Sequence, residues 1–280
     1  MLIQSVHFLT VCSSFPRQNP NRHSPLSSSS SSSLHPPLLI RFRPSRRQNL
    51  QHLKTLGIIP PYTKPPPPEI VSKILSIANY LKSMGFSDSQ FPRLSFLTPQ
   101  IFLSDVADIA AVFAFMSDDL AASPQESIAL IHRCPDLLLT SADDCLRPTL
   151  AFLRDLGIKN LNSPTSLNAH LLNLRVGKLQ EKIRFLESLG LSREEARRVC
   201  ARLPAIFGYS VENNLMPKFE FLTDVMGRTI EELKGFPQYF AFSLEKRILP
   251  RHLHLKERGV KVTLQRMLLW SDQRFYAKWK

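Results

Sequence analysis

From Glu69 onward, apolar residues return at helical spacing and polar residues fill the gaps between them. Ile70, Ile74, Ile77 and Leu81 mark one apolar stripe, which ends at Gly85. Leu146, Leu150, Leu153 and Leu156 mark another, which ends at Gly157. A recurrence of three and four positions predicts amphipathic helices. A glycine just beyond such a stripe supplies the left-handed residue that commonly stops a helix. Other helices are predicted to start at hydroxyl residues placed three before a glutamate: Ser123/Glu126, Ser192/Glu195 and Thr229/Glu232. In such a capping box, the two side chains satisfy free N–H groups of the first turn. Leucine dominates and β-branched runs are scarce, so the pattern predicts an all-α fold.

The stripes belong to a repeat. The stretches 134–157, 203–227 and 236–259 each carry a proline and a second one 13 residues later. The pairs are Pro135/Pro148, Pro204/Pro217 and Pro237/Pro250. Each stretch closes on a glycine: Gly157, Gly227 or Gly259. A further copy ends at Gly190 but has Asn168 and Glu181 where the prolines are expected. Pro99 begins an earlier copy, and Trp270 marks a terminal one. The first proline of a pair, which lacks an N–H and restricts its predecessor, should stop one helix. A short apolar turn follows, such as Leu137–Leu139. A second helix should then start with the other proline in its first turn. Two helices cannot bury their own apolar face, whereas stacked pairs can, so the repeat predicts a superhelical solenoid of either hand. The expected units lie near 69–90, 91–122, 123–157, 158–190, 191–227 and 228–259, with a cap at 260–280.

Charge divides the chain. Residues 1–68 hold eight Lys/Arg and no acid, residues 69–142 carry a net −4, and residues 143–280 carry a net +9. The acid-free segment is rich in serine (Ser27–Ser33), then in arginine (Arg41–Arg47), and ends in Pro65–Pro68. That composition predicts an organelle transit peptide and disordered leader over 1–68. The serine tract favours a chloroplast, with the mitochondrion as the alternative. The four cysteines are dispersed and read as buried thiols in a reducing compartment. No apolar run is long enough to span a membrane.

Chemistry-bearing motifs are missing. There is no GxSxG elbow, P-loop or GxGxxG. His252 and His254 are two apart on a predicted helix and point different ways, unlike a helical zinc pair. Asp143 and Asp144 read as acids at a helix start. Neither an enzyme, a cofactor nor a metal is expected.

The paired prolines, the helices LRPTLAFLRDLG and ILPRHLHLKERG, and the ending MLLWSDQRF closely resemble plant members of the mTERF (mitochondrial transcription termination factor) family. The resemblance covers about 69–280. It implies two helices and a short 3-10 turn per unit, wound into a half-ring with a basic concave path. It further implies a monomer that regulates organelle gene expression by binding double-stranded DNA, affecting transcription or its termination. Structured RNA, in intron splicing or ribosomal RNA maturation, is an alternative. A protein-binding scaffold is another, with organelle transcription or ribosome-assembly proteins as partners.

A repeat presents equivalent positions to one face. Arg147, Lys218 and Arg251 follow the second proline, and Lys182 follows Glu181. One cation per unit is suited to tracking a phosphate backbone. Lys246, Arg247, Arg258 and Lys261 complete the expected nucleic-acid-binding set. A second cluster, Arg193, Arg197, Arg198 and Arg202, reads in part as a solvated face paired with Glu194 and Glu195. Phe207, Tyr209, Tyr239, Phe240 and Phe242 read as core rather than base-stacking residues.

Overall fold

The computed structural model describes residues 45–280 except Tyr62 and Thr63. They belong to the unit Pro44–Lys280. Most of the proposed leader, and Cys12, lie outside the described residues. Fourteen α-helices follow one another: α1 (Arg46–Thr55), α2 (Pro68–Ser83), α3 (Phe91–Leu97), α4 (Val106–Ala114), α5 (Pro124–Arg133), α6 (Arg147–Asp155), α7 (Ser166–Leu172), α8 (Val176–Ser188), α9 (Arg193–Arg202), α10 (Met216–Glu220), α11 (Glu231–Gly235), α12 (Leu249–Glu257), α13 (Leu264–Leu269) and α14 (Asp272–Lys278). No strand occurs among the described residues, so the fold is all-α. A single apolar core runs from Leu53 to Phe275. Helices near in sequence are near in space: α8 packs on α9, α9 on α11, and α12 on α13.

The first proline of each pair acts as expected. The residues before it, Thr98, Cys134, Leu203 and Phe236, have φ between −145° and −133° and ψ between 68° and 83°. The proline ring excludes the helical region for its predecessor. The preceding helix therefore stops, and five residues form a 3-10 turn: Pro99–Leu103, Pro135–Leu139, Pro204–Gly208 and Pro237–Ala241. The third and fourth residues of each turn are buried, as Leu137/Leu138, Ile206/Phe207 and Tyr239/Phe240 show. Phe207, Tyr239 and Phe240 are thus core residues, and Tyr209 and Phe242 pack half-buried against the same core.

The second proline does not sit in a first turn. Its helix starts earlier, at Ser141, Ser210 and Ser243, whose Oγ atoms accept from the N–H groups of Asp144, Asn213 and Lys246 at 3.1 Å each. The first turn is then a wide π turn, with Leu146, Leu215 and Ile248 donating five residues back at 3.0 Å. Pro148, Pro217 and Pro250 follow two residues later and open α6, α10 and α12. A proline inside an α-helix removes a donor and strikes the carbonyl four residues back. The π turn opens the backbone where that collision would fall. In α8, with Glu181 at this place, the helix is regular throughout.

Two other expectations change. Ser123/Glu126 and Ser192/Glu195 form capping boxes, but Thr229/Glu232 does not. Helix α11 begins at Glu231, and the Glu232 carboxylate instead accepts from Arg228 at 2.6 Å. The fold also begins before residue 69. Ser45 and Gln48 form a capping box on α1, whose Leu53 is fully buried. Gly57 (φ 68°) then closes α1 as Gly157 (φ 87°) closes α6. In both, the next residue donates back across the turn, Ile58 to the Leu53 carbonyl at 3.0 Å and Ile158 to that of Leu153 at 3.1 Å. This is the Schellman pattern. Acid-poor composition masked the apolar spacing of Leu50, Leu53 and Leu56.

Candidate nucleic-acid interface

The cations expected at one register divide by burial. Lys218 and Arg251 are buried, at 6% and 1% exposure. The Lys218 ammonium donates to the Phe240 carbonyl at 2.7 Å and to Asn214 Oδ1 at 2.9 Å. In return, the Tyr239 hydroxyl donates to the Lys218 carbonyl at 2.8 Å. Residue 218 is thus bound in both directions to the 3-10 turn of the next unit. Burial pushes the Lys218 amine below its ordinary value. Arg251 makes a similar joint one unit later. Its guanidinium donates to the carbonyls of Met267 at 2.6 Å and Trp270 at 2.8 Å, pairs with Asp272, and lies 4.5 Å from the Phe275 ring centre.

Arg247 supports the same joint, donating to the Leu268 and Trp270 carbonyls at 2.9 and 2.7 Å. Arg147 is half-buried between two carboxylates, with Nε 2.8 Å from Asp119 and a second pair to Asp143. Those carboxylates, Asp119 first, raise its pKa. The register therefore selects side chains that tie units together. A long basic side chain with several donors suits this task, because the carbonyls of a 3-10 turn leave acceptors unmet.

The remaining cations of the expected set are more available. Lys182 is half-buried, and Lys246 and Lys261 are exposed. None of these three side chains makes a hydrogen bond or ion pair among the described residues. Arg258 is exposed, 3.2 Å from the His254 carbonyl and 3.5 Å from Glu257. In the second cluster, Arg197 pairs with Asp155 at 2.8 Å, Arg198 with Glu194 at 3.5 Å, and Arg202 donates to the Lys234 and Gly235 carbonyls. Only Arg193 of that cluster lacks such a partner.

Sequence reasoning missed Lys256 and Arg266. Both line a cleft of about 850 Å³ that also contains Lys261, Arg228 and His252. The spacing of four from His252 to Lys256 along α12 was the available signal. His252 and His254 do point apart: the first stands edge-on to Phe221, and the second meets Tyr276 and the Trp279 carbonyl. Cys134, Cys145 and Cys200 are buried free thiols. Burial pushes Cys134 up to about 11 and Cys200 up to about 12. No described helix is long and apolar enough to cross a membrane.

The mTERF family model matches residues 78–167 and 123–276. Similar proteins include three from Arabidopsis thaliana. The chloroplastic transcription termination factor MTERF2 is 34% identical over 118 residues, 42% of this chain and 18% of that protein. The chloroplastic factor MTERF8 is 25% identical over 214 residues, 63% of this chain and 43% of that protein. The mitochondrial factor MTERF15 is 24% identical over 267 residues, 81% of this chain and 57% of that protein. The chain thus spans less than two thirds of the length of each. With prolines setting a 3-10 turn in unit after unit, and the family match covering more than half of the sequence, this chain belongs to the mTERF family.

Proposed function

We propose that the protein regulates organelle gene expression by binding double-stranded DNA, affecting transcription or its termination. The observation that carries this reading is the excess of cations left over once the joints are made. Residues 143–280 hold a net +9. Arg147, Lys218, Arg247 and Arg251 are engaged within the fold, while Lys182, Lys246, Arg258 and Lys261 remain for a partner. Unpaired cations on a stacked repeat form the electrostatic footprint expected of a polyanion binder. In this reading the stacked units curve into a half-ring with these cations on its concave side. The names of the relatives, chloroplastic and mitochondrial termination factors, support an organelle setting. The serine-rich segment favours the chloroplast.

The test is duplex binding by the purified chain across a salt series. Log K should fall linearly with log salt, by roughly 0.9 per phosphate neutralised. Lys182→Glu with Lys246→Glu should weaken binding across all sequences and flatten the slope. An unchanged slope would overturn the assignment, and preference for a matched structured RNA would redirect it.

A further inference from the structure

The cleft of about 850 Å³ is built differently from a backbone track. It lies between the helix end at Val225–Met226, α12 and the start of α13. Lys256, Lys261 and Arg266 stand on it, exposed and without side-chain hydrogen bonds or ion pairs among the described residues. Arg228 adds a guanidinium held by Glu232 and by the Val262 carbonyl, both at 2.6 Å. Four cations against one carboxylate give these walls a net +3. The other walls are apolar, with Met226, Leu255 and Met267 among them. His252 also lines the cleft, and its Nε2 is buried with no hydrogen-bond partner among the described residues.

These features specify a ligand chemistry. A bare phosphate has no use for apolar walls. An extended duplex backbone does not need a recess of small-molecule size. A compact ligand with an anionic end, an apolar planar body and a polar edge uses all three. We propose that this cleft binds a nucleotide, its phosphate held by Lys256, Lys261 and Arg266. The base lies against Met226, Leu255 and Met267, and His252 Nε2 meets a polar edge of the base or a ribose hydroxyl. The nucleotide comes either free from solution or as the 5′-phosphorylated end of a strand. The inference goes beyond the duplex reading and is tested apart from it.

Calorimetric titration of the full chain with 5′-AMP, adenosine and inorganic phosphate at fixed ionic strength tests it. AMP should bind at least tenfold more tightly than either fragment. Lys261→Glu with Arg266→Glu should weaken AMP at least tenfold, and His252→Ala severalfold. Arg133→Gln, far from the cleft in sequence and on α5, should have no effect. Melting curves check that each variant folds. A hexanucleotide with and without a 5′-phosphate identifies the source. Displacement of the phosphorylated form by AMP assigns the strand end, and AMP binding without hexanucleotide binding assigns the free nucleotide. AMP that binds no better than phosphate, or within twofold in the double variant, overturns the proposal. Missing AMP binding with salt-dependent duplex binding intact refutes the cleft alone. AMP binding without duplex binding supports the cleft and refutes only the duplex reading.

Discussion

Two neighbouring stretches, 168–190 and 203–227, occupy the same place in the repeat and are built differently. The second has Pro204, Pro217 and Lys218 where the first has Asn168, Glu181 and Lys182. With both prolines, the chain makes a 3-10 turn, a π turn and a buried lysine fastened to the next turn. Without them, α8 is continuous and Lys182 is half-buried with no side-chain partner among the described residues. Asn168 is buried instead, its amide donating to the Asn160 and Ser163 carbonyls at 2.8 and 2.9 Å. The prolines thus set how far the second helix is opened. Whether the adjoining cation then becomes a joint or remains available follows from its seat against the next unit.

The strongest test of this contrast falls on Arg251, the joint cation of the last paired-proline unit. Arg251→Met removes the donors for the Met267 and Trp270 carbonyls and leaves buried acceptors unmet. Losses of this kind cost about 3 kcal/mol. Urea unfolding should show it. Trp270 and Trp279, the two tryptophans of the chain, stack at 5.0 Å in the same cap. Their emission should shift red at lower urea than in the parent. A loss below about 1 kcal/mol would mean that apolar packing alone holds the cap.

The neighbouring registers should then separate. Lys218→Met should cost about 1–2 kcal/mol, because the Phe240 carbonyl loses its donor while a desolvated ammonium is relieved. Lys182→Met should stay within about 0.5 kcal/mol, as is usual away from such features. Equal costs at the two sites would remove the distinction between joint and available cation.

Much of this was legible in the sequence because proline and glycine restrict the backbone locally. Pro204 dictates the φ and ψ of Leu203 whatever surrounds it, and Gly157 marks a left-handed turn in the same way. The position of Pro217 was not legible, since the helix start depends on Ser210, six residues after Pro204. The pattern of cations was read correctly as a register and wrongly as an exposed one for Lys218 and Arg251. Exposure at those positions is decided by the next unit's turn, about 20 residues away, and no local spacing encodes it. Thr229 and Glu232 had the right spacing for a cap, but Arg228 offered the glutamate a stronger partner.

Capping gives a smaller version of the same contrast. Ser192→Ala should cost about 1 kcal/mol, because Ser192 Oγ accepts from the Glu195 N–H and completes a box. Thr229→Ala, where no box forms, should be close to neutral. Paired denaturation midpoints decide it, and a matching loss at Thr229 would restore the cap expected from spacing alone.

The smallest effect concerns how the box at Ser192 is joined to α11. Lys234 donates to Glu195 at 2.7 Å, and the Ser192 N–H donates to the same carboxylate at 2.9 Å. Lys234 first, then Ser192, hold the Glu195 carboxyl down to about 2, against an ordinary 4.5. A carboxyl lowered on folding contributes stability that is complete above its unfolded value and fades as pH falls toward the folded one. The window is therefore pH 4.5 down to about 2. Glu195→Gln keeps a side chain able to cap and removes only the charge. The parent should be the more stable at neutral pH, and its advantage over the variant should shrink across that window. Glu126, which has the serine contacts but no lysine on it, should give a weaker pH dependence with the same substitution. A gap at Glu195 that does not change with pH would show that the bond to Lys234 contributes nothing to the junction of α9 and α11, leaving that joint to Arg202 and the apolar core.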